Sequence, residues 1–294
     1  MNIKKIYLEL LTLVSPKLNT KVFYKRRMGK NIDLDNPKTF NEKVQWLKLN
    51  VYPKEQIYSD CADKYLVREY VKKCGLEETL NELIGVYDNA NQINWAELPN
   101  QFVLKWNFGC GLNIICSDKN KLDEKEVKKK LNRWRNNKFY LRTSEMHYKK
   151  ISKKIICEKY LADETTKSID DYKFYCFDGK ADCVMVCVGR DKGKPKFYYF
   201  DRNWKFLREY SKDGIDAPKN LKIPKPKDIE KMFKYADVLS KGFPFVRVDF
   251  YYTNNKIVFG ELTFTPSAGL DVDKVKNIDI LHGQMIKLPM RGDD

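Results

Sequence analysis

Two acids set in apolar, strand-like runs carry much of the chemical information in this chain of 294 residues. Asp249 lies in Val246-Arg-Val-Asp-Phe250, and Glu261 lies in Phe259-Gly-Glu-Leu-Thr-Phe-Thr-Pro-Ser-Ala-Gly269, twelve positions further on. A carboxylate among Val, Phe and Tyr is costly to bury unless something pairs with it. Two carboxylates brought together repel unless a cation or a proton intervenes. Hard oxygen ligands on a rigid sheet suit Mg²⁺, which keeps waters and phosphate oxygens as its other ligands. The plainer alternative is a pair of acids on the solvent face of an antiparallel hairpin.

A second candidate is Phe102-Val-Leu-Lys105 running into Asn107-Phe-Gly-Cys-Gly111. A lysine at a strand end, followed by a glycine-containing turn, can aim its ammonium and nearby backbone amides at phosphates. No Gly-Lys-Ser/Thr follows, so this is not a Walker A loop, and an ordinary hairpin turn reads equally well. A third is Ile155-Ile-Cys-Glu-Lys-Tyr-Leu161, an apolar strand that breaks into charged and aromatic residues. Its plain reading is a strand ending at the surface.

The elements that must position these residues are legible from periodicity and punctuation. The first ~85 residues read helical. Thr39-Phe-Asn-Glu42 is a capping-box pattern that opens a helix carrying Phe40, Val44 and Leu47 on one side. One further helix is predicted over Gln56 to Lys73, ended by Gly75. Strands are predicted at Phe102–Lys105, Asn113–Cys116 and Lys154–Glu158, with a charged helix at Asp123–Asn136. The polar segment Ala162–Asp170 precedes a meander of Tyr172–Phe177, Ala181–Val188 and Lys196–Phe200. A helix over Lys227–Lys241 leads to two final strands, Phe245–Tyr251 and Lys256–Leu262, turned at Asn254-Asn255. The class is α+β with a helical N-terminal extension. Its expected organisation is a helical region 1–85, a smaller lobe 86–155 and a larger lobe 156–294.

Composition narrows the class further. Hydrophobic residues make up 43% and aromatics 13%, which supports a folded body rather than disorder. No apolar run approaches the ~20 residues of a bilayer span. Ile6–Val14 is short, carries Glu9 and reads as a packed amphipathic helix. The eight cysteines form no Cys-x-x-Cys pair. Without a secretory signal they read as reduced thiols of a cytoplasmic protein. With two histidines, His147 and His282, a catalytic triad or histidine-rich metal site is not expected; both read as surface or hydrogen-bonded residues. The five tryptophans read as packing residues rather than a sugar platform. Net charge is +16, and residues 1–30 hold eight Lys or Arg against Glu9 alone. That cluster reads as a solvated face, with a contact at the inner membrane surface as the alternative. A basic surface favours polyanions without choosing among them.

Taken together and in order, these segments resemble one family. The chain resembles the ATP-grasp superfamily and looks like its TupA-like branch, found in polysaccharide and teichuronopeptide gene clusters. The resemblance is carried by Asn36-Pro-Lys-Thr-Phe-Asn-Glu-Lys43, Asp63-Lys64 with Val67-Arg-Glu-Tyr-Val71, Val103-Leu-Lys105, Asp171-Tyr-Lys-Phe-Tyr-Cys-Phe-Asp-Gly179 and Glu261-Leu-Thr-Phe264. It implies two α+β lobes that sandwich ATP, with Mg²⁺. Lys64 and Lys105 would be the ATP lysines, and the loop with Gly109 and Gly111 would close over the β- and γ-phosphates. Glu158 through Leu161 would form the hinge, with backbone groups of Lys159 and Leu161 reading adenine. Asp171 would hold the ribose hydroxyls, Lys173 would face the triphosphate, and Arg247 would steady an acyl phosphate or oxyanion. Asp249, Glu261 and Thr263 would hold the metal; Thr263 stands where most ATP-grasp enzymes have Asn.

The implied reaction joins a carboxylate to a small-molecule amine through an acyl phosphate, with Lys105, Lys173 and Arg247 neutralising the transferred phosphoryl group. The family context points to a uronic acid or similar acidic sugar, free or within a nucleotide- or lipid-linked glycan. Two other readings compete. A nucleic-acid-binding protein would account for the charge, but the aromatics follow aliphatic core patterns and no recognition motif appears. A glycan transferase that does not use ATP would call for a metal-binding Asp-x-Asp; Asp271-Val-Asp273 has that spacing but reads as loop.

Overall fold

The computed structural model describes residues 3–161, 170–189, 193 and 195–289; of the polar segment 162–170, residues 162–169 lie outside this set. Helices α1 (Ile3–Val14) and α2 (Pro16–Met28) form an N-terminal hairpin. Ser15 caps α2 by accepting a hydrogen bond from the Leu18 amide, and Pro16 occupies the first turn, where its missing N–H costs nothing. The hairpin docks on α7 (Phe139–Thr143) through a buried polar cluster. In it Asn19 Nδ2 donates to Thr12 Oγ1 at 2.7 Å and to Ser144 Oγ at 2.9 Å. Only one side of α1 is packed in this way. Tyr7, Leu10, Leu13 and Val14 are exposed, so the expected packed helix leaves an apolar stripe open.

Helix α3 (Phe40–Asn50) begins with the predicted capping box of Thr39 and Glu42. The motif around it staples the two ends of the chain together. Asn41 donates from its backbone and side chain to Asp279 Oδ1 at 2.9 and 3.0 Å, tying α3 to α10 (Lys276–Met285). Lys43 Nζ donates to the Ile286 carbonyl at 2.8 Å. Phe40 is fully buried with its ring centroid 4.8 Å from that of Phe245.

The single helix predicted over Gln56–Lys73 is instead two, α4 (Gln56–Ala62) and α5 (Val67–Lys73). Asp63 is responsible: its backbone is extended, and its Oδ1 accepts from the amides of Tyr65 and Leu66, a local alternative to helical bonding. Lys64 therefore sits in a break rather than on a helix face.

Two antiparallel sheets follow. The smaller contains β1 (Leu83–Tyr87), β2 (Phe102–Trp106), β3 (Asn113–Cys116) and β4 (Ile155–Lys159) in the order β1-β4-β2-β3. Helix α6 (Glu124–Arg135) lies between β3 and β4 in the chain and accepts a bond from Trp106 Nε1 at the Leu131 carbonyl. Since β4 pairs with both β1 and β2, a boundary after residue 155 would cut this strand from its sheet.

The larger sheet runs β7-β6-β5-β8-β9, from β5 (Asp170–Phe177), β6 (Lys180–Val188), β7 (Lys196–Asp201), β8 (Phe245–Thr253) and β9 (Lys256–Thr263). Period-two alternation divides its faces. Helix α8 (Lys212–Ile215) follows β7 in the chain, and Phe174 turns to one side, where its ring meets that of Phe233 on α9 (Ile229–Ser240) at 4.8 Å. Lys173, Tyr175, Arg247 and Asp249 turn to the other. The β8–β9 hairpin closes at Asn254-Asn255, both at positive φ, as a tight two-residue turn requires. No helix among the described residues is long and apolar enough to cross a membrane.

The link between the smaller sheet and the α4–α5 break is a buried side-chain pair. Asn107 Nδ2 donates to Asp63 Oδ2 at 2.7 Å, while Asn107 Oδ1 accepts from the Lys154 amide at 2.9 Å. Burial raises the Asp63 pKa against these bonds, so the pair is held together under strain of solvation. Asn107→Ala leaves buried partners unsatisfied, and we expect it to lower unfolding stability by about 1–3 kcal/mol in urea titrations. An unchanged midpoint would remove this pair as the link.

Candidate active site

Sheet register assembles the acids with their counter-cations. Lys173 on β5 stands opposite Asp249 on β8, which stands opposite Glu261 on β9; one step along, Arg247 stands opposite Thr263. Residues opposite one another and two apart share a face, so five separated positions converge. Arg247 grips Asp249 with two bonds, Nε to Oδ1 at 2.7 Å and a terminal nitrogen to Oδ2 at 2.6 Å. Lys173 Nζ reaches Asp249 Oδ2 at 2.7 Å and Asp171 at 2.8 Å. Arg247 also reaches Glu261 Oε1 at 3.3 Å and Thr263 Oγ1 at 3.1 Å, and the Thr263 hydroxyl donates to Glu261 Oε1 at 2.9 Å.

The two acids differ in what they have left to offer. The Asp249 side chain is only 4% exposed and both its oxygens are engaged by cations, whereas the Glu261 side chain is 40% exposed. Burial raises the Asp249 pKa despite Arg247 and Lys173. Burial also opposes ionisation of Glu261, but Lys64, Arg247 and Lys173 outweigh it and hold that carboxyl at about 2. Glu261 Oε2 has no hydrogen-bond partner among the described residues. A hard cation thus fits most readily at Glu261; at Asp249 and Thr263 it would compete with Arg247.

The smaller sheet presents the opposing wall. Lys64 Nζ donates to the Gly109 carbonyl at 2.6 Å, and its own amide donates to the Asn107 carbonyl at 2.9 Å. Burial lowers its pKa, with the charge of Glu261 opposing and that of Lys105 reinforcing. Gly109 and Gly111 both take positive φ, 65° and 70°, a conformation that costs glycine little. Lys105 on β2 forms an ion pair with Glu158 on β4 at 2.6 Å.

The remaining expected positions are placed less simply. The Lys159 amide donates to the Glu82 carbonyl, and its own carbonyl accepts from Asn81 Nδ2 at 2.8 Å. Leu161 ends the described segment. Asp171 is buried and bound to Lys173, so ribose hydroxyls would have to compete with that lysine.

Several residues in the neighbourhood were not singled out by type and spacing. A cavity of about 790 Å³ opens beside the acids, bordered by Gly109, Cys110, Arg247, Glu261 and Thr263. Its other walls carry Glu145 and Thr265, and Arg26, Arg27 and Arg142 from the N-terminal half. Glu145 is buried and accepts from the hydroxyls of Thr143 and Thr265; burial raises its pKa against both bonds and against Lys48. Thr265 could have been found by alternation, because Glu261, Thr263 and Thr265 step by two. No local motif marks Glu145 or the arginines; Arg26 and Arg27 had read as a solvated face.

The histidines are not at the surface. Both are fully buried: His282 meets Lys274 Nζ at 3.1 Å through Nδ1, and His147 has no ring hydrogen bond among the described residues. Burial pushes His147 down to about 3, so it stays neutral. Trp46, Trp95 and Trp106 are buried, as packing residues should be. Asp271-Val-Asp273 lies in a loop.

A family model described as TupA-like ATP-grasp matches residues 42–287. Among solved structures, N5-carboxyaminoimidazole ribonucleotide synthetase in complex with ADP is 16% identical with a TM-score of 0.45, over 76% of this chain and 50% of its own. D-alanine–D-alanine ligase from Bacillus anthracis is 16% identical with a TM-score of 0.38, over 69% and 57%. The Helicobacter pylori enzyme of that name is 16% identical with a TM-score of 0.45, over 86% and 70%. This chain thus spans about half the length of the first two. No curated protein sequence matches it significantly.

Lys48 supports the cavity wall by donating from Nζ to the Thr143 carbonyl at 2.7 Å. Burial holds its ammonium down at about 8, with Glu145 opposing. A depressed folded-state pKa favours the native state where the amine is neutral. The native state therefore gains as pH rises from about 8 to the ordinary value of 10.5, and below 8 the penalty is constant. We expect Lys48→Met to abolish this gain. Urea unfolding of both proteins should show their stability difference shifting by about 3 kcal/mol against the variant between roughly pH 7.5 and 10.5. A difference independent of pH would contradict the assignment.

Proposed function

The chain belongs to the TupA-like ATP-grasp family, and from that premise we propose that it is an ATP-dependent carboxylate–amine ligase. The observation that carries this reading is the cross-strand row Lys173–Asp249–Glu261 with Arg247, in which Arg247 and Glu261 border one cavity with the Gly109 turn that Lys64 binds. Anionic phosphates between two such walls meet cations from both, while Glu261 keeps an oxygen free toward them. The three regions expected from the sequence serve as nucleotide-binding lobes and an N-terminal extension, with β4 assigned to the smaller lobe.

In this mechanism a substrate carboxylate attacks the γ-phosphorus of ATP, releasing ADP and leaving an acyl phosphate. An amine then adds to the acyl carbon, phosphate departs and the amine's proton is lost. Lys64 and Lys105 orient the phosphates through their ammonium groups, and the backbone of the Asn107–Gly111 turn closes over them. Arg247 and Lys173 neutralise charge as it spreads over the transferred phosphoryl group. Glu261, with Asp249 and Thr263 behind it, would hold Mg²⁺, which when bound would supply positive charge to the nucleotide's phosphates. No step calls for an activated serine, cysteine or histidine, which suits a chain whose two histidines are buried and depressed in pKa. Lys159 and Leu161 are our candidates for adenine contacts, Asp171 for the ribose.

The family's association with cell-surface glycan clusters supports an acidic sugar, such as a uronic acid, as the carboxylate, and cytoplasmic chemistry on a glycan precursor. The test is an ADP-release screen of uronic acids crossed with amines in the presence of Mg²⁺. We expect release to depend on both an acid and an amine, and Glu261→Ala to reduce it by roughly 10²–10³-fold with the melting temperature preserved. Release that ignores either substrate, or that survives Glu261→Ala, would remove the ligase reading.

The open stripe on α1 supports a peripheral contact with an anionic membrane face. Tyr7, Leu10 and Val14 recur at helical spacing, Leu13 and Leu18 extend the patch, and Lys17, Lys21 and Lys25 stand exposed beside it. We expect the protein to sediment with vesicles containing phosphatidylglycerol, and Leu10→Glu with Leu13→Glu to abolish this. Equal sedimentation with neutral vesicles, or no change in the variant, would contradict it.

A further inference from the structure

The cavity beside Glu261 carries more positive charge than ligation alone explains. Arg247 is committed to Asp249 and Glu261 at its inner end. Farther out, Arg26 and Arg27 on α2 and Arg142 on α7 line the same space. All three are exposed, and none of their guanidinium groups has an ion-pair partner among the described residues. The acid in that wall, Glu145, is already taken by the hydroxyls of Thr143 and Thr265. The arginines are also held in position, because the polar cluster of Thr12, Asn19 and Ser144 fixes α2 against α7, and Asn19 Nδ2 donates to the Arg142 carbonyl at 3.2 Å.

Three guanidinium groups facing one cavity match a multiply charged anion better than a single carboxylate. Their planar donors pair two-to-one with phosphate oxygens, and each such pair is stronger than a neutral hydrogen bond. The nucleotide's own phosphates are assigned to Lys64 and the Gly109 turn under the proposed function, which leaves these three arginines without a role there.

We infer that Arg26, Arg27 and Arg142 form an anion subsite for a phosphate or diphosphate group carried by the compound being ligated. That the group belongs to the ligated compound rests on the ligase reading; the subsite itself does not. The substrate is then a phosphorylated precursor whose reacting end lies at Glu261 and Arg247 and whose phosphoryl group lies against α2 and α7. On this reading the N-terminal helices bind substrate as well as brace the lobes. A class of reaction that places a sugar on a nucleotide or lipid diphosphate must supply it.

The experiment is calorimetric titration of the full chain, with its nucleotide site saturated by a non-hydrolysable ATP analogue and Mg²⁺. The probes are inorganic pyrophosphate, free glucuronate, UDP-glucuronate and geranyl diphosphate. We expect pyrophosphate and at least one diphosphate ester to bind about tenfold or more tightly than glucuronate. Preference for UDP-glucuronate marks a nucleotide-linked source, preference for geranyl diphosphate a lipid-linked one, and both uphold the subsite. The triple variant Arg26→Gln, Arg27→Gln, Arg142→Gln should lose roughly 10–100-fold in pyrophosphate affinity while keeping its affinity for the ATP analogue. Glucuronate binding as tightly as pyrophosphate would overturn the inference, as would a folded triple variant with unchanged pyrophosphate affinity. If the triple variant fails to fold, the wild-type comparison of pyrophosphate with glucuronate decides alone. Pyrophosphate bound at this wall with no acid- and amine-dependent ADP release would sink the ligase reading and leave the subsite intact.

Discussion

An aspartate with 4% of its side chain exposed must be neutralised where it stands, and everything at this site follows from how that is done. Asp249 takes two bonds from Arg247 and one from Lys173, each from a neighbouring position on the same sheet face. A lone buried carboxylate would be prohibitively costly, and removing either cation would leave an uncompensated charge. The network therefore locks the rotamers of Arg247 and Lys173 before any substrate arrives. Under the proposed function, such preorganisation would let fixed charges act on a transferred phosphoryl group without a reorganisation cost at the moment of reaction. Glu261, at the edge of the network, keeps one oxygen toward the cavity and stays ionised because three cations surround it.

The second requirement is that the two sheets keep a fixed relation, and buried polar pairs meet it. Asp63 breaks a helix to place Lys64, and Asn107 ties that break to the end of the strand leading into the Gly109 turn. At the other end of the chain, Asn41 and Lys43 anchor α3 to the C-terminal segment, and Gln45 Nε2 holds the carbonyls of Ala268 and Gly269 at the cavity edge. The segment from Asn36 to Lys43, which helped to mark the family, thus serves as scaffold. Motif strength and nearness to chemistry are separate properties in this protein.

Much of this was legible before the structure. Hydrophobic alternation placed β5, β8 and β9 within two residues of their observed limits and made β8 and β9 hairpin neighbours. Asp249 stands opposite Glu261 only because the register shifts at a bulge between Asp249 and Phe250, which alternation does not reveal. The Thr39–Glu42 capping box appeared as read because it depends only on local backbone bonds. What failed was non-local or competed with a local signal. Apolar spacing across Gln56–Lys73 concealed the break, since Asp63 captures two amides that a continuous helix would use. The open face of α1 could not be told from a buried one by periodicity, which says that a stripe exists and not what covers it. Glu145 and the three cavity arginines come from distant segments with no shared spacing, so only packing brings them together.

The most direct test is where a metal–nucleotide complex settles. Crystals grown with Mn²⁺ and a non-hydrolysable ATP analogue report this through the anomalous signal of manganese. We expect the manganese peak at coordination distance, about 2.0–2.3 Å, from Glu261 and from β- and γ-phosphate oxygens, with Lys64 and the Gly109 turn on the far side of the phosphates. A metal bound away from β8 and β9, or phosphates that leave Lys64 and Lys173 untouched, would contradict the central claim that the two sheets close on one triphosphate.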